Sequence, residues 1–156
     1  MINLLHMKLK YKILDPRIGT EYKAPKYQTK GSAGLDLIAC CESSITLSPN
    51  ESTIIPSGIS IYIEDSDFAG IVIPRSGLGA KKGLVCGNLM GLIDSDYQGP
   101  LSISLWNRSS EPIEINPGER VAQLVVIRVD QVELDLVEEF ETTERGSEGF
   151  GSTGVS

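Results

Sequence analysis

Short runs of alternating apolar and polar residues, each ended by glycine, proline or a cluster of small polar residues, recur along almost the whole chain. This alternation has the period of β-strands that bury one face. Helical periodicity is nearly absent, and 16 glycines and 8 prolines interrupt the 156 residues. The pattern predicts an all-β sandwich or barrel of about ten short strands. The predicted strands are residues 8–13, 35–39, 45–47, 53–55, 59–63, 69–73, 91–93, 101–106, 113–115, 120–129 and 132–136.

A polar turn over residues 94–100 separates two of these strands and carries Asp94, Asp96 and Tyr97. We expect a hairpin whose tip presents two carboxylates and one aromatic ring. Such a tip suits a site that needs one positioned base and one flat wall beside a ligand. Aspartates in turns usually bind backbone amides, however, so the two acids taken alone would be structural.

Residues 74–83 follow directly on a predicted buried strand and combine Arg75 and Ser76 with three glycines. Glycines let backbone amides approach a ligand, while the guanidinium and hydroxyl groups suit an anion such as phosphate. The alternative is a flexible basic turn with one turn of helix around residues 78–82. We favour the anion site.

Two further polar residues lie within predicted strands. Asp36 stands between two leucines, and such an acid faces solvent by default or is buried with a partner. Gln123 is the one uncharged polar residue in a strand predicted to be buried on both faces. Its amide must either make a hydrogen bond in the core or reach a site.

The composition changes at Glu138, which divides the chain into a β domain, residues 1–137, and a flexible tail, residues 138–156. The tail contains groups that bind ligands, dispersed among glycines. These groups are Arg145, Phe150, Ser152 and Thr153. Either the tail is a disordered end, or it is a lid that orders on a ligand with phosphates and a flat ring.

The formal net charge is −7, without a basic stripe, which argues against a nucleic-acid partner. A single histidine, His6, makes His-dependent hydrolysis an unfavourable hypothesis. Cys40, Cys41 and Cys86 lack metal-binding spacing, so we expect small buried residues in a reducing cytoplasm. No apolar run approaches the roughly 20 residues of a membrane helix. The first residues are too short and too weakly basic for a signal peptide, and Met7 is an alternative start.

Five segments resemble, in order, the five motifs of the trimeric dUTP diphosphatases (dUTPases). They are residues 33–37, 74–83, 87–99, 117–123 and 145–154. The resemblance implies a jelly-roll-like fold, or β-clip barrel. It also implies a homotrimer that binds dUTP in active sites between subunits, with the C-terminal segment folding over a site.

The family's chemistry, transferred to matching positions, makes Asp94 the general base for a water that attacks the α-phosphorus of dUTP. The products would be dUMP and pyrophosphate. Tyr97 would stack on the deoxyribose and exclude a 2′-hydroxyl group. Asp36 would hold Mg²⁺ through ordered water.

The remaining roles implied by the resemblance concern binding. Uracil would contact Asn88, Ser102 and the backbone near Leu92 and Ile93. The phosphates would contact Arg75, Ser76 and Gly77, and Gln123 would contribute near the phosphates or the attacking water. In the tail, Arg145, Ser152 and Thr153 would clamp the outer phosphates, and Phe150 would cover the uracil ring. The tail departs from the family pattern at Glu148, which occupies a position usually held by glycine.

Two alternatives remain open at this point. A dCTP deaminase resembles the same fold, but the five motifs, Tyr97 and the tail match the diphosphatase better. A non-catalytic nucleotide-binding module would be expected to lose Asp94, which is present.

Overall fold

The computed structural model describes residues 7–143 and 146–147, and this part of the chain is built of ten strands and one short helix. The first five strands are β1 (Lys10–Ile13), β2 (Leu35–Ile38), β3 (Ile45–Leu47), β4 (Ser52–Tyr62) and β5 (Phe68–Pro74). The helix is α1 (Ser76–Lys81). The last five strands are β6 (Leu84–Cys86), β7 (Gly91–Ile93), β8 (Pro100–Asn107), β9 (Ile113–Ile115) and β10 (Arg120–Arg128).

The strands form two four-stranded sheets with the orders β1-β4-β8-β6 and β2-β10-β5-β7, and a two-stranded ribbon, β3-β9. Every strand pairing is antiparallel. Apolar side chains of both large sheets meet in a single core cluster. This two-layer architecture is the jelly-roll-like all-β fold that the sequence predicts.

Strand β8 shows how the alternation of the sequence becomes the core. Leu101, Ile103 and Leu105 are buried, and Ser102 points to the exposed face between them. Removing three large aliphatic side chains from water stabilises the fold by about 1.5–3 kcal/mol for each of them. Because the period of a strand is two residues, a register slip would expose all three.

Strand β4 corrects the prediction of two separate strands at residues 53–55 and 59–63. It is a single strand of 11 residues with a register shift between Pro56 and Ser60. Most of its first half pairs with β8, and its last residues pair with β1. The bulge lets one strand serve two neighbours, so the Pro-Ser-Gly sequence bends the strand and does not end it.

The hairpin predicted around residues 94–100 is also wrong. Strand β7 pairs with β5 in one sheet, whereas β8 pairs with β4 and β6 in the other. The polar segment therefore crosses between the two layers. Strand β7 has only three residues and belongs to the sheet of its partner β5. The apolar face of β8 packs on the core from the other sheet.

Residues 132–136 do not form the predicted strand. Leu134 is 90% exposed and Leu136 is 99% exposed. The segment alternates as a strand does, but it pairs with no strand among the described residues. The described part of the chain contains no helix long and apolar enough to cross a membrane.

The three cysteines are buried and free, as expected for small core residues. Burial raises the pKa of the Cys40 thiol to about 11 and also raises the pKa of Cys86. Both thiols stay protonated at neutral pH, which makes them poor nucleophiles.

An ion pair holds the segment after β1. The Asp15 carboxylate accepts hydrogen bonds from Arg17 Nη2 at 2.6 Å, Arg17 Nε at 3.0 Å and the Arg17 backbone amide at 2.9 Å. The side-chain hydrogen bonds from Arg17, followed by the amide, lower the pKa of Asp15 from 3.8 to about 2. The charged form of Asp15 is therefore favoured by folding.

We expect Asp15→Asn to lower the melting temperature at pH 7 by about 3–6 °C, because the charge-assisted bonds are lost. The folded-state pKa lies below the unfolded one, so the stabilisation is complete above about pH 4 and disappears as the pH falls through about 2. The difference in melting temperature between the two proteins should therefore shrink as the pH falls from 7 to 2.5. A stability difference that stays constant with pH would contradict this account. Asp130→Asn, at an exposed aspartate after β10, is the control.

Candidate active site

Three charged side chains from three adjacent strand segments form the first half of the site. Asp36 of β2 accepts a hydrogen bond from Arg75 Nε at 2.9 Å on one carboxylate oxygen and from Arg120 Nη1 at 3.0 Å on the other. The Asp36 side chain is only 15% exposed. The default prediction that Asp36 faces solvent is therefore wrong, and its alternative, burial with a partner, is confirmed.

The pairing of strands explains this cluster. Strand β10 lies between β2 and β5, and its Gln123 pairs with Asp36 on one side and Ile73 on the other. Arg75 follows the end of β5 and also donates from Nη1 to the carbonyl of Arg120 at 3.3 Å. Arg75 is thus held through two of its nitrogen atoms before any ligand arrives.

Gln123 fixes the end of β5 through its side chain. Its Nε2 donates to the carbonyl of Pro74 at 3.1 Å. A Cβ atom on Gly34 would lie 2.5 Å from Gln123 Oε1, so only glycine leaves room for the amide. Gln123 thus makes a structural hydrogen bond, and the residue also lines a cavity.

We call that cavity the arginine cavity; its volume is about 460 Å³. It brings together the residues predicted to bind phosphates and the predicted metal residue. These are Asp36, Arg75, Ser76, Gly77 and Gln123, joined by Arg120. The turn of helix that the alternative placed at residues 78–82 is present as α1, Ser76–Lys81. The cavity thus offers two guanidinium groups, a hydroxyl and an amide to an anion.

A second cavity, of about 240 Å³, opens where β7 and β8 separate into their two sheets. We call it the tyrosine cavity. Its lining contains Leu92, Ile93, Asp94, Tyr97 and Ser102, all predicted from the sequence. Asp94 is exposed, and its carboxylate has no hydrogen-bond partner among the described residues.

Tyr97 is held rigidly as one wall of this cavity. Its hydroxyl donates to the carbonyl of Pro100 at 2.9 Å. A Cβ atom on Gly99 would lie 2.5 Å from the Tyr97 hydroxyl oxygen, so glycine is needed where the ring folds back over the turn. The ring remains 42% exposed and can therefore receive a flat or puckered ligand ring.

Asn88, predicted to contact the same ligand, lies in the turn between β6 and β7 and does not line the tyrosine cavity. Its carbonyl accepts a hydrogen bond from the Met90 amide at 2.7 Å, around Leu89 with φ of 64°. This exposed, strained turn carries Asn88 beside β7. A ligand would have to extend beyond the tyrosine cavity to reach it.

The two cavities lie towards opposite ends of β5. Asp94 follows Ile93, which pairs with Gly70 near the start of β5, whereas Arg75 follows Pro74 at its end. Gly70 and Pro74 are roughly 13 Å apart at about 3.3 Å per residue, and Asp94 and Arg75 lie beyond them. A general base must be within one water molecule of the reacting atom. The two cavities of one chain are therefore two separate half-sites, at opposite ends of β5.

A family model described as dUTPase matches residues 20–154. The chain belongs to the dUTPase family. This chain is 55% identical to the deoxyuridine 5'-triphosphate nucleotidohydrolase of Serratia proteamaculans. The match covers 147 residues, which are 94% of this chain and 97% of that protein. The Haemophilus influenzae protein of the same name is 56% identical over the same shares. The resemblance found in the five motifs is confirmed.

Solved structures of phage dUTPases share the fold. A variant of the Staphylococcus bacteriophage 80alpha dUTPase with dUpNHpp is 30% identical, with a TM-score of 0.80 over 95% of this chain and 99% of that chain. A variant of the dUTPase from phage phi11 of S. aureus is 25% identical, with a TM-score of 0.74 over 86% and 99%. The phi11 structure is described as revealing the coordination of a structural Mg(II) ion.

Some predicted residues of the dUTPase motifs lie outside the described residues, namely Arg145, Glu148, Phe150, Ser152 and Thr153. Conversely, Arg120 and Gln28 line the arginine cavity without having been assigned a role from the sequence. The signal available for Arg120 was its place within residues 117–123, the fourth of the five matched segments. Gln28 gave no such signal, because it lies in a loop of little pattern.

Proposed function

We propose that the chain hydrolyses dUTP to dUMP and pyrophosphate. The observation that supports this most is the division of the site into two parts: an exposed carboxylate beside a fixed aromatic wall, and a pair of preorganised arginines. The comparisons with named dUTPases support the same reaction. The reaction keeps uracil out of DNA and supplies dUMP for the synthesis of dTMP. The relatives named above are dUTPases, so the deaminase alternative gains no support from them.

Asp94 acts as the general base in this proposal. Its carboxylate takes a proton from a water molecule as the water oxygen forms a bond to the α-phosphorus. The bond between that phosphorus and the oxygen bridging to the β-phosphate breaks, and pyrophosphate leaves. The Asp94 carboxylate is exposed and has no ion pair within residues 7–143, so it is free to accept the proton and needs no histidine.

The tyrosine cavity selects the sugar and the base. Tyr97 lies against the deoxyribose and leaves no room for a 2′-hydroxyl group. Ser102, Asn88 and the backbone at Leu92 and Ile93 pair with the edge of uracil. Cytosine presents the opposite pattern of donors and acceptors, so its binding would leave buried polar groups unpaired.

The arginine cavity holds the phosphates. Arg75 offers its remaining N–H groups, Ser76 its hydroxyl and Gly77 its backbone amide. Gln123 positions the Pro74 carbonyl and contributes near the phosphates. Guanidinium groups bind phosphate oxygens with charge-assisted hydrogen bonds, and here Asp36 has already fixed their direction.

Asp36 also fits the outer coordination of Mg²⁺. The described residues contain no group of three acidic, histidine or cysteine side chains that could enclose a metal. Each Asp36 oxygen accepts one hydrogen bond and keeps a further lone pair for a metal-bound water. Mg²⁺ keeps several waters and binds through few carboxylates plus substrate phosphates. When bound, it would reduce the repulsion between the triphosphate and a chain of net charge −7.

We further propose a homotrimer in which each active site combines the tyrosine cavity of one copy with the arginine cavity of another. The separation along β5 supports this arrangement, because it places the two half-sites of one chain at opposite ends of that strand. The exposed leucines at 134 and 136, with Phe140 at 92% exposure, supply apolar surface for contacts between copies. The tail, residues 138–156, would close over a site through Arg145, Phe150, Ser152 and Thr153. The free buried cysteines support a cytoplasmic location.

The test is pyrophosphate release from dUTP, dCTP, dTTP and UTP with Mg²⁺, with ammonia followed in the dCTP sample. Release from dUTP alone is expected. Release of ammonia from dCTP would show that the chain is a deaminase. The absence of turnover with all four nucleotides would leave a binding module.

A further inference from the structure

A third cavity, of about 380 Å³, adjoins the arginine cavity and shares Gln28, Asp36 and Arg120 with it. We call it the lysine cavity, because Lys23 and Lys26 line its outer side. Its inner side is formed by apolar residues such as Leu37 and Ile59. The shared residues make the two cavities neighbouring parts of one surface depression.

The loop that carries the lysines is anchored at both ends. At its start, the Tyr22 amide donates to the Arg17 carbonyl at 2.8 Å, and the Tyr22 carbonyl accepts from the Gly19 amide at 2.7 Å. The Arg17 guanidinium also lies 5.3 Å from the centre of the Tyr22 ring. At its end, the Thr29 amide donates to Ser32 Oγ at 3.1 Å. These local bonds order the two ends of the segment whose Lys23 and Lys26 line the cavity.

The charge around this cavity is positive in a chain of net charge −7. Asp36 is paired with Arg75, which lies outside this lining, and with Arg120, which belongs to it. Lys23 and Lys26 form no ion pair among the described residues, and Glu21 is the other acid in the lining. Arg120, which stands between the two cavities, is 47% exposed and donates only from Nη1 to a described partner. These cations favour an anion of several charges.

We propose that the lysine cavity is a second anion subsite, which receives inorganic pyrophosphate as it leaves the arginine cavity. Pyrophosphate as the occupant rests on the proposed function. No bond changes in this step: the anion exchanges Arg75 for Lys23 and Lys26 while keeping Arg120. An occupied subsite slows the final release of product, so the lysines set the strength of inhibition by pyrophosphate. The affinity for dUTP depends on them much less.

The test is calorimetric titration of the full chain with inorganic pyrophosphate in the absence of metal, comparing Lys23→Gln/Lys26→Gln with the parent. We expect the dissociation constant to rise about five- to tenfold in this double variant, because two cations near a multiply charged anion are removed. Lys8→Gln/Lys12→Gln is the matched control, since it removes the same charge from exposed lysines that line neither cavity. A second control, Lys30→Gln, removes a lysine of the same loop that also lies outside both linings.

The expected result is a loss of affinity in the cavity variant, less than twofold changes in both controls, and a less than twofold change in KM for dUTP. An unchanged dissociation constant would overturn the proposal, as would equal losses in the two double variants, which indicate net charge only. A parallel rise in KM would also overturn it, because the lysines would then serve the substrate. The titration needs no turnover, so a failure to hydrolyse dUTP would refute the proposed function and leave this result readable.

Discussion

Replacement of Asp94 by asparagine is expected to lower kcat for dUTP by about 10²- to 10⁴-fold, the range typical for loss of a general base. Asparagine keeps the size of the side chain and its exposed place beside Tyr97, but it cannot accept a proton from water. Binding should persist, since the Asp94 carboxylate makes no hydrogen bond among the described residues, and asparagine keeps the backbone carbonyl that accepts from the Tyr97 amide at 3.2 Å. Pyrophosphate release measures the first effect. Titration with dUpNHpp, the compound bound in a phage relative, measures the second.

Asp96→Asn is the matched control, because Asp96 is an exposed aspartate of the same segment that does not line the cavity. Its turnover should stay within about twofold of the parent. If Asp94→Asn hydrolysed dUTP at the parent rate, another group would have to be the base, and the proposed mechanism would be wrong.

Arg75→Ala is expected to reduce kcat/KM for dUTP by about 10²- to 10⁴-fold. Charge-assisted hydrogen bonds contribute about 1.5–3 kcal/mol each, and the guanidinium can offer two to the phosphates. The fold should survive, because Asp36 keeps Arg120 as its partner and Gln123 still holds Pro74. Steady-state kinetics should show the larger part of the loss in KM, as expected for a group that binds the substrate.

Arg128→Ala provides the comparison for Arg75→Ala, since Arg128 lies at the other end of β10 and contacts the ring of Phe68. We expect its kcat/KM to change by less than about threefold. Equal losses in the two variants would mean that net charge, and not the arginine cavity, governs the binding of dUTP.

The sequence predicts those parts of the fold that depend on local patterns. The burial of Leu101, Ile103 and Leu105 follows from alternation alone. The helical turn after Arg75 had appeared only in the alternative that was not favoured. The grouping of Asp94 and Tyr97 in the tyrosine cavity could also be predicted from the sequence, because only two residues separate them. In each case the residues that meet in space are close in the chain.

Non-local pairings account for what the sequence could not predict. The partners of Asp36 come from Arg75 and Arg120, 39 and 84 residues away, and depend on β10 lying between β2 and β5. In the same way, β7 and β8 read as a hairpin because both flank a turn, although their partners place them in different sheets. Residues 132–136 also depend on partners outside the segment: they alternate like a strand, but no described strand pairs with them.

The most direct test of the shared active site is a mixture of two inactive variants. Asp94→Asn and Arg75→Ala chains, produced together with different tags and purified through both, would give mixed trimers. In a cyclic trimer, one site of three would then combine an intact Asp94 from one copy with an intact Arg75 from another. We predict that pyrophosphate release from dUTP returns to about one third of the parent rate. Mixed trimers as inactive as each variant alone would contradict the account and place both residues in a site of a single copy.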